Sequence, residues 1–250
     1  MKIDHTQGLG PVEQTGLGER MLAVFHEPRR AFEAVADGGK WFDWVLPVVL
    51  CAAVWAGHNL ATLSLAAPEE PAAIDGWEQL DEAGRETVAL RNEAWRGHGW
   101  ASFPLVARFS GLAAVALVLV GLARWVLRSE AGLRQMLAIK SYAGLVTVPQ
   151  WILLTLLARI GACEPPAPFS GPGVFHAGVL LGAGAEESFA GRFLMGLNLF
   201  DLWQVVLVGI GLAVVTGAPR SRALVTVLVP WLVWTAMGAL AAPGAVPASQ

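Results

Sequence analysis

Apolar residues fall in long runs that charged residues interrupt at only a few places. No Asp, Glu, Lys or Arg occurs from Trp44 to Pro68, Phe109 to Ala123, Ser141 to Ala158, Leu202 to Pro219, or Ala223 to Gln250. A bilayer core of ~30 Å needs about 20 mostly apolar helical residues. The runs therefore predict five membrane-spanning helices, over about 42–65, 104–127, 138–160, 194–217 and 222–241. These segments are apolar all round, whereas the helices of a soluble bundle carry one apolar stripe. They also lack the alternating ten-residue pattern of a membrane barrel. The predicted fold class is an all-α polytopic membrane protein with an N-terminal interfacial amphipathic helix and an extracytoplasmic helical insertion.

Composition agrees. Of 250 residues, 55% are hydrophobic and 15% charged, against roughly 45–50% and about 25% in globular domains. A disordered chain would be polar and charge-rich. A net charge of -3 gives no footprint for nucleic acid. Where the charges sit is more informative. Eleven of the seventeen Lys and Arg lie in the N-terminal segment (Lys2, Arg20, Arg29, Arg30, Lys40), between spans two and three (Arg124, Arg128, Arg134, Lys140) and between spans four and five (Arg220, Arg222). By the positive-inside rule these segments are cytoplasmic. The N-terminus is then cytoplasmic and the C-terminus extracytoplasmic, as an odd number of spans requires. The first 40 residues have no continuous apolar run, so span one is expected to act as an uncleaved signal-anchor. Cys51 in a span and Cys163 in an outer connection make no disulfide framework.

Four segments lie outside the spans. Residues 1–40 form a cytoplasmic amphipathic region. In it Leu17, Met21, Leu22 and Phe25 make one stripe, and Pro28 opens a second helix with Phe32 and Val35 on one face. This region either lies on the leaflet or packs on the end of the bundle. Residues 67–100 carry eight acidic side chains against three arginines, a net of -5; near-helical spacing from Trp77 to Trp95 predicts an outer acidic helix over 75–96. Residues 161–193, rich in Gly and Pro, read as an irregular outer loop with a re-entrant piece near Val174–Leu181. Residues 242–250 read as a flexible tail. The membrane domain is 41–241.

Chemistry is sparse. Polar side chains inside a span are functional candidates, although hydrogen bonding between helices is their commoner use. His58 and Asn59 lie in span one. Asp201, with Asn198 and Gln204 close in sequence, lies in span four. With that span starting near 194, Asp201 is about two turns in, roughly 10 Å deep. Candidate partners are Lys140, Arg108 or a polar cavity, although the topology puts Lys140 at the opposite, cytoplasmic end. Glu186, Glu187 and Arg192 approach the Glu-Glu-x-x-x-Arg motif of membrane-embedded prenyl-protease-like enzymes. However, the Arg comes one residue late, and Thr62 stands where Asn would follow His58. No nucleophile elbow, phosphate loop, zinc motif or paired Cys-x-x-Cys occurs. His5, His26, His98 and His176 are scattered. No catalytic residue, cofactor or metal is expected.

Three blocks give the chain a family likeness. The first is Pro28-x-x-x-Phe32 ahead of Trp44 and Pro47. The second runs from Gly121 through Leu133–Ala138 to Ser141-Tyr142-Ala143 and Val148-Pro149. The third is Leu197-Asn198-Leu199-Phe200-Asp201-Leu202-Trp203, followed by Gly209, Gly211 and Gly217. In this order the chain resembles the Yip family of five-span, Rab-interacting membrane proteins, which has bacterial relatives. The resemblance implies a five-helix domain with a cytoplasmic N-terminus and no enzymatic activity. The Asp-Leu-Tyr-Gly-Pro element of eukaryotic members is absent, and a composition rich in Ala, Gly and Arg points to a bacterial inner membrane. The expected function is a membrane scaffold or adaptor whose partners are the bilayer and a second copy or other membrane proteins, with no nucleic acid. The alternative is permeation of a small solute or ion past Asp201, Asn198, Gln204, His58 and Asn59.

Overall fold

The structure is a computed structural model; it describes residues 16–36, 41–63, 81–86, 100–163, 174–181 and 188–241. Apart from a short helical turn over 82–86, these residues form nine α-helices: α1 (Leu17–His26), α2 (Pro28–Ala36), α3 (Trp41–Leu63), α4 (Trp100–Trp125), α5 (Leu133–Gly144), α6 (Thr147–Arg159), α7 (Phe189–Met195), α8 (Leu199–Thr216) and α9 (Arg220–Ala241). A 3₁₀ turn covers Ala177–Leu181. Five stretches are long and apolar enough to cross a membrane: Trp41–Thr62, Arg108–Trp125, Leu133–Arg159, Leu199–Thr216 and Arg220–Ala241. The all-α, five-span architecture is as expected.

The third span differs from its predicted limits. It starts at Leu133 rather than near 138, and it is two helices meeting at Leu145–Val146. The break follows from Pro149 in the first turn of α6. Proline lacks an N–H, and its ring would clash with the carbonyl four residues back, here Leu145. The backbone tightens to i→i+3 bonds instead: Leu145 N–H donates to the Tyr142 carbonyl at 3.0 Å and Val148 N–H to that of Leu145 at 3.0 Å. Thr147 Oγ1 adds a bond to the Gly144 carbonyl at 2.9 Å.

Span four also starts later, at Leu199 rather than 194. The preceding residues are not all irregular loop: Ser188 caps α7, its Oγ accepting from Gly191 N–H at 2.9 Å, and α7 runs to Met195. A new helix then begins because Asn198 Oδ1 accepts from Phe200 N–H at 2.8 Å, a standard N-cap arrangement.

Of the two placements open to the N-terminal region, the structure has packing on the bundle. α1 and α2 form a hairpin against α5 and α8. Phe32, Val35 and Ala31 of α2 are fully buried, as are Val24 and nearly Ala23 of α1. The predicted α1 stripe is corrected by about a quarter turn: Leu17 and Met21 pack partly on the core, but Leu22 is 64% exposed. Docking on protein selects the small residues Ala23 and Val24, which allow close approach. The Arg20–Asp43 ion pair at 2.9 Å ties α1 to the start of α3. Gln135 ties α2 to α5, its Oε1 accepting from Gly132 N–H at 2.9 Å while its Nε2 donates to the Ala36 carbonyl at 2.7 Å. Arg222 donates to the Val126 carbonyl at 2.6 Å. The hairpin base, the α4–α5 connection and the α8–α9 turn therefore share one end of the molecule, the end that gathers most of the basic residues among those described.

In the middle of the bundle α5 packs on α3, α4 and α8, and α9 leans on α8. Two close approaches depend on glycine. A Cβ at Gly209 would lie 3.0 Å from the Leu224 Cα, and one at Gly211 would lie 2.8 Å from Ile139 Cγ2 and 3.1 Å from Phe32 Cδ1. Of the outer insertion only 81–86 and Trp100, where α4 begins, are described; 82–86 form a helical turn, and the rest of the expected 75–96 helix lies outside the described residues. So do Glu186 and Glu187.

Candidate functional site

Among the spans is a cavity of ≈ 290 Å³, lined by Val48 and Cys51 of α3, Arg108, Gly111, Leu112 and Val115 of α4, Lys140, Ser141 and Gly144 of α5, and Gln204 of α8. It arises from topology. α4 and α8 both pack on α5 but not extensively on each other, so a gap remains between them with α5 as its floor. Cys51 and Gly144, whose Sγ and carbonyl oxygen are 3.4 Å apart, are near the midpoints of their spans. Lys140 and Gln204 lie inside their spans, and Arg108 stands at the start of its own. Lys140 Nζ donates to Gln204 Oε1. The Arg108 guanidinium stands 5.5 Å from the centre of the Trp55 ring, within cation–π range. Asp201 is within electrostatic reach of both cations, but the ion pairs among the described residues do not include it.

The five predicted polar candidates do not converge. Gln204 lines the cavity and Asp201 lies close by. Asp201 is in the first turn of α8, not two turns in, where the helix dipole favours a carboxylate. Asn198 is the α8 cap and pairs its backbone with His176. His58 is elsewhere, between α3 and α6: its Nδ1 is 2.7 Å from Thr155 Oγ1 and its ring 4.8 Å from that of Trp151. Asn59 Nδ2 donates to the Trp55 carbonyl at 3.0 Å, an intrahelical bond. All three make hydrogen bonds within or between elements, the common use of intramembrane polar groups.

Lys140 is not at the far end of the bundle from Asp201. Starting α5 at Leu133 puts it two turns inside the span, and its long side chain reaches Gln204. The signal for this was the run Leu133–Arg159, which stays apolar on average across Lys140. The family-pattern residues also find places. Pro28 starts α2, Phe32 meets Gly211, Pro149 sets the α5–α6 break, and Gly209 receives α9. Trp203 packs edge-on to Phe25 at 5.7 Å. No cluster of His, Cys, Asp and Glu among the described residues could hold a metal ion.

The family model described as the Yip1 domain matches residues 22–242. No curated protein matches the chain, and no solved structure does.

Proposed function

The chain belongs to the Yip1 domain family, and from that premise we propose that it is a non-enzymatic membrane scaffold or adaptor of the bacterial inner membrane, with a cytoplasmic N-terminus. The observation that carries this reading is the α1–α2 hairpin. Its apolar side is locked into the bundle through Phe32 and Val24, and its outer side presents Arg29–Glu33 and Arg30–Glu27 ion pairs. Exposed pairs of this kind contribute little to stability, so exchanging them for contacts with a partner would cost the fold little. The basic residues at this end support a cytoplasmic placement. A photo-crosslinking residue at Arg29 in the full chain, expressed in membranes, is expected to yield a discrete adduct with a second copy or another membrane protein. A strictly monomeric, partnerless product overturns the adaptor reading.

A second reading, permeation of a small solute or ion, is supported by the cavity that joins Lys140, Arg108 and Gln204 near Asp201. Chloride and proton flux into proteoliposomes is then expected to exceed that of empty vesicles and to fall with Asp201→Asn. Flux unchanged by Asp201→Asn counts against it.

A further inference from the structure

We propose that the cavity between α4 and α8 is a binding site for a phosphate-bearing anion, gripped by Arg108 on one wall and Lys140 on another. The two cations come from different helices and line one cavity. Asp201 supplies one carboxylate for two cations and forms an ion pair with neither among the described residues, so the site carries an excess positive charge.

The hydrogen-bonding inventory points the same way. No described residue accepts a hydrogen bond from the Arg108 guanidinium, whose planar fork of donors suits phosphate oxygens. Lys140 spends one donor on Gln204 Oε1. The Gln204 amide nitrogen, turned toward Gly144, remains as a further donor. Charged donors set within a membrane domain are costly unless paired. An anion with several acceptor oxygens can satisfy all three groups at once, which a single chloride cannot.

Size and access fit as well. The volume is near the lower end of the ~300–1,000 Å³ range of small-ligand sites. Gly111 and Val115, exposed on α4, form its mouth, and a Cβ at Gly111 would meet nothing within 4 Å. Both residues are exposed within a candidate membrane span, so a ligand entering past them would come from the lipid side. The phosphate can therefore be that of a phospholipid headgroup entering sideways or that of a soluble phosphate. This inference does not rest on the adaptor reading: crosslinked partners test one, anion binding the other.

The test uses the purified full chain. One arm measures phosphatidylglycerol retained from phosphatidylcholine–phosphatidylglycerol nanodiscs, by native mass spectrometry. The other measures the shift in Tm on adding inorganic phosphate in detergent. Binding in at least one arm is expected, with Arg108→Gln and Lys140→Gln each weakening it about tenfold or more, as for loss of a charge-assisted bond. Gly111→Leu keeps both charges but fills the mouth, and it should abolish binding. Lipid retention without a phosphate response identifies a headgroup; the reverse identifies a soluble anion. The proposal is overturned if the wild-type chain binds neither, or if Gly111→Leu binds as the wild type does. That second criterion stands even if the charge variants fail to fold.

Discussion

Phe32→Ala is expected to release the α1–α2 hairpin from the bundle. Phe32 is fully buried, and its ring fills the space that Gly211 leaves open, 3.1 Å from where a Cβ there would sit. Removing a buried phenyl ring typically costs about 3–5 kcal/mol. Phe32 is the largest side chain the hairpin buries; Val24, the Arg20–Asp43 pair and the Gln135–Ala36 hydrogen bond hold the rest. Helices of ten and nine residues are too short to persist alone in water, and the other buried α2 contacts come from Ala31 and Val35. A loss of about 4 kcal/mol raises the population of the undocked state by roughly three orders of magnitude. Trypsin cleavage at Arg29 and Arg30, which sit on the exposed face, should then become fast in the variant while the spans stay protected. Phe32→Leu keeps most of the volume and should cost under about 1.5 kcal/mol. If Phe32→Ala is cleaved no faster than the wild type, the hairpin is not held by this contact.

That contact also shows what the sequence made legible and what it did not. The five spans followed from missing charges, because charge exclusion acts along the chain and needs no knowledge of neighbours. Pro28 as a helix start and the shared face of Phe32 and Val35 were visible for the same reason, since both are local; what that face packs on was not. Lys140 was misplaced because a basic residue beside Arg134 reads as the edge of a span, and only packing against Gln204 makes its place inside the bundle tenable. The grouping of polar residues failed for a related reason. Periodicity assigns His58 to a face of α3 but does not say which helix meets that face, and the structure gives it Thr155 of α6 rather than Asp201 of α8. Arg108 and Lys140 are brought together by tertiary packing, across 32 residues of sequence. The cavity they share exists because α4 and α8 flank α5 without closing on each other, which no local pattern records.

Gly209→Leu is expected to detach α9. Gly209 and Gly211, two residues apart and so roughly 200° apart around the helix, serve different interfaces. Gly211 receives Ile139 and Phe32, while Gly209 lies directly against the backbone of α9, its built Cβ 3.0 Å from both Leu224 Cα and Leu224 Cδ1. A side chain can rotate away from such an overlap, but a Cα cannot, so the helix axes must part. Within a membrane, lipid is as apolar as leucine, and close packing is itself a main source of helix association. The loss should therefore reach the upper end of the overpacking range, about 3 kcal/mol. α9 has few alternatives: beyond α8 it packs chiefly on α7, where Arg192 Nε donates to the Ala239 carbonyl at 2.8 Å. Thermal unfolding in micelles should show a lowered Tm, and a cysteine pair placed across the α8–α9 contact should lose its crosslink. Gly57→Leu is the internal control. A Cβ at Gly57 meets nothing within 4 Å, so that variant should stay within about 0.5 kcal/mol of the wild type, as surface changes do. Equal stability of Gly209→Leu and Gly57→Leu would rule out the backbone contact between α8 and α9. A loss confined to Gly209→Leu would establish that α9 is held to the domain by the absence of a side chain at one position.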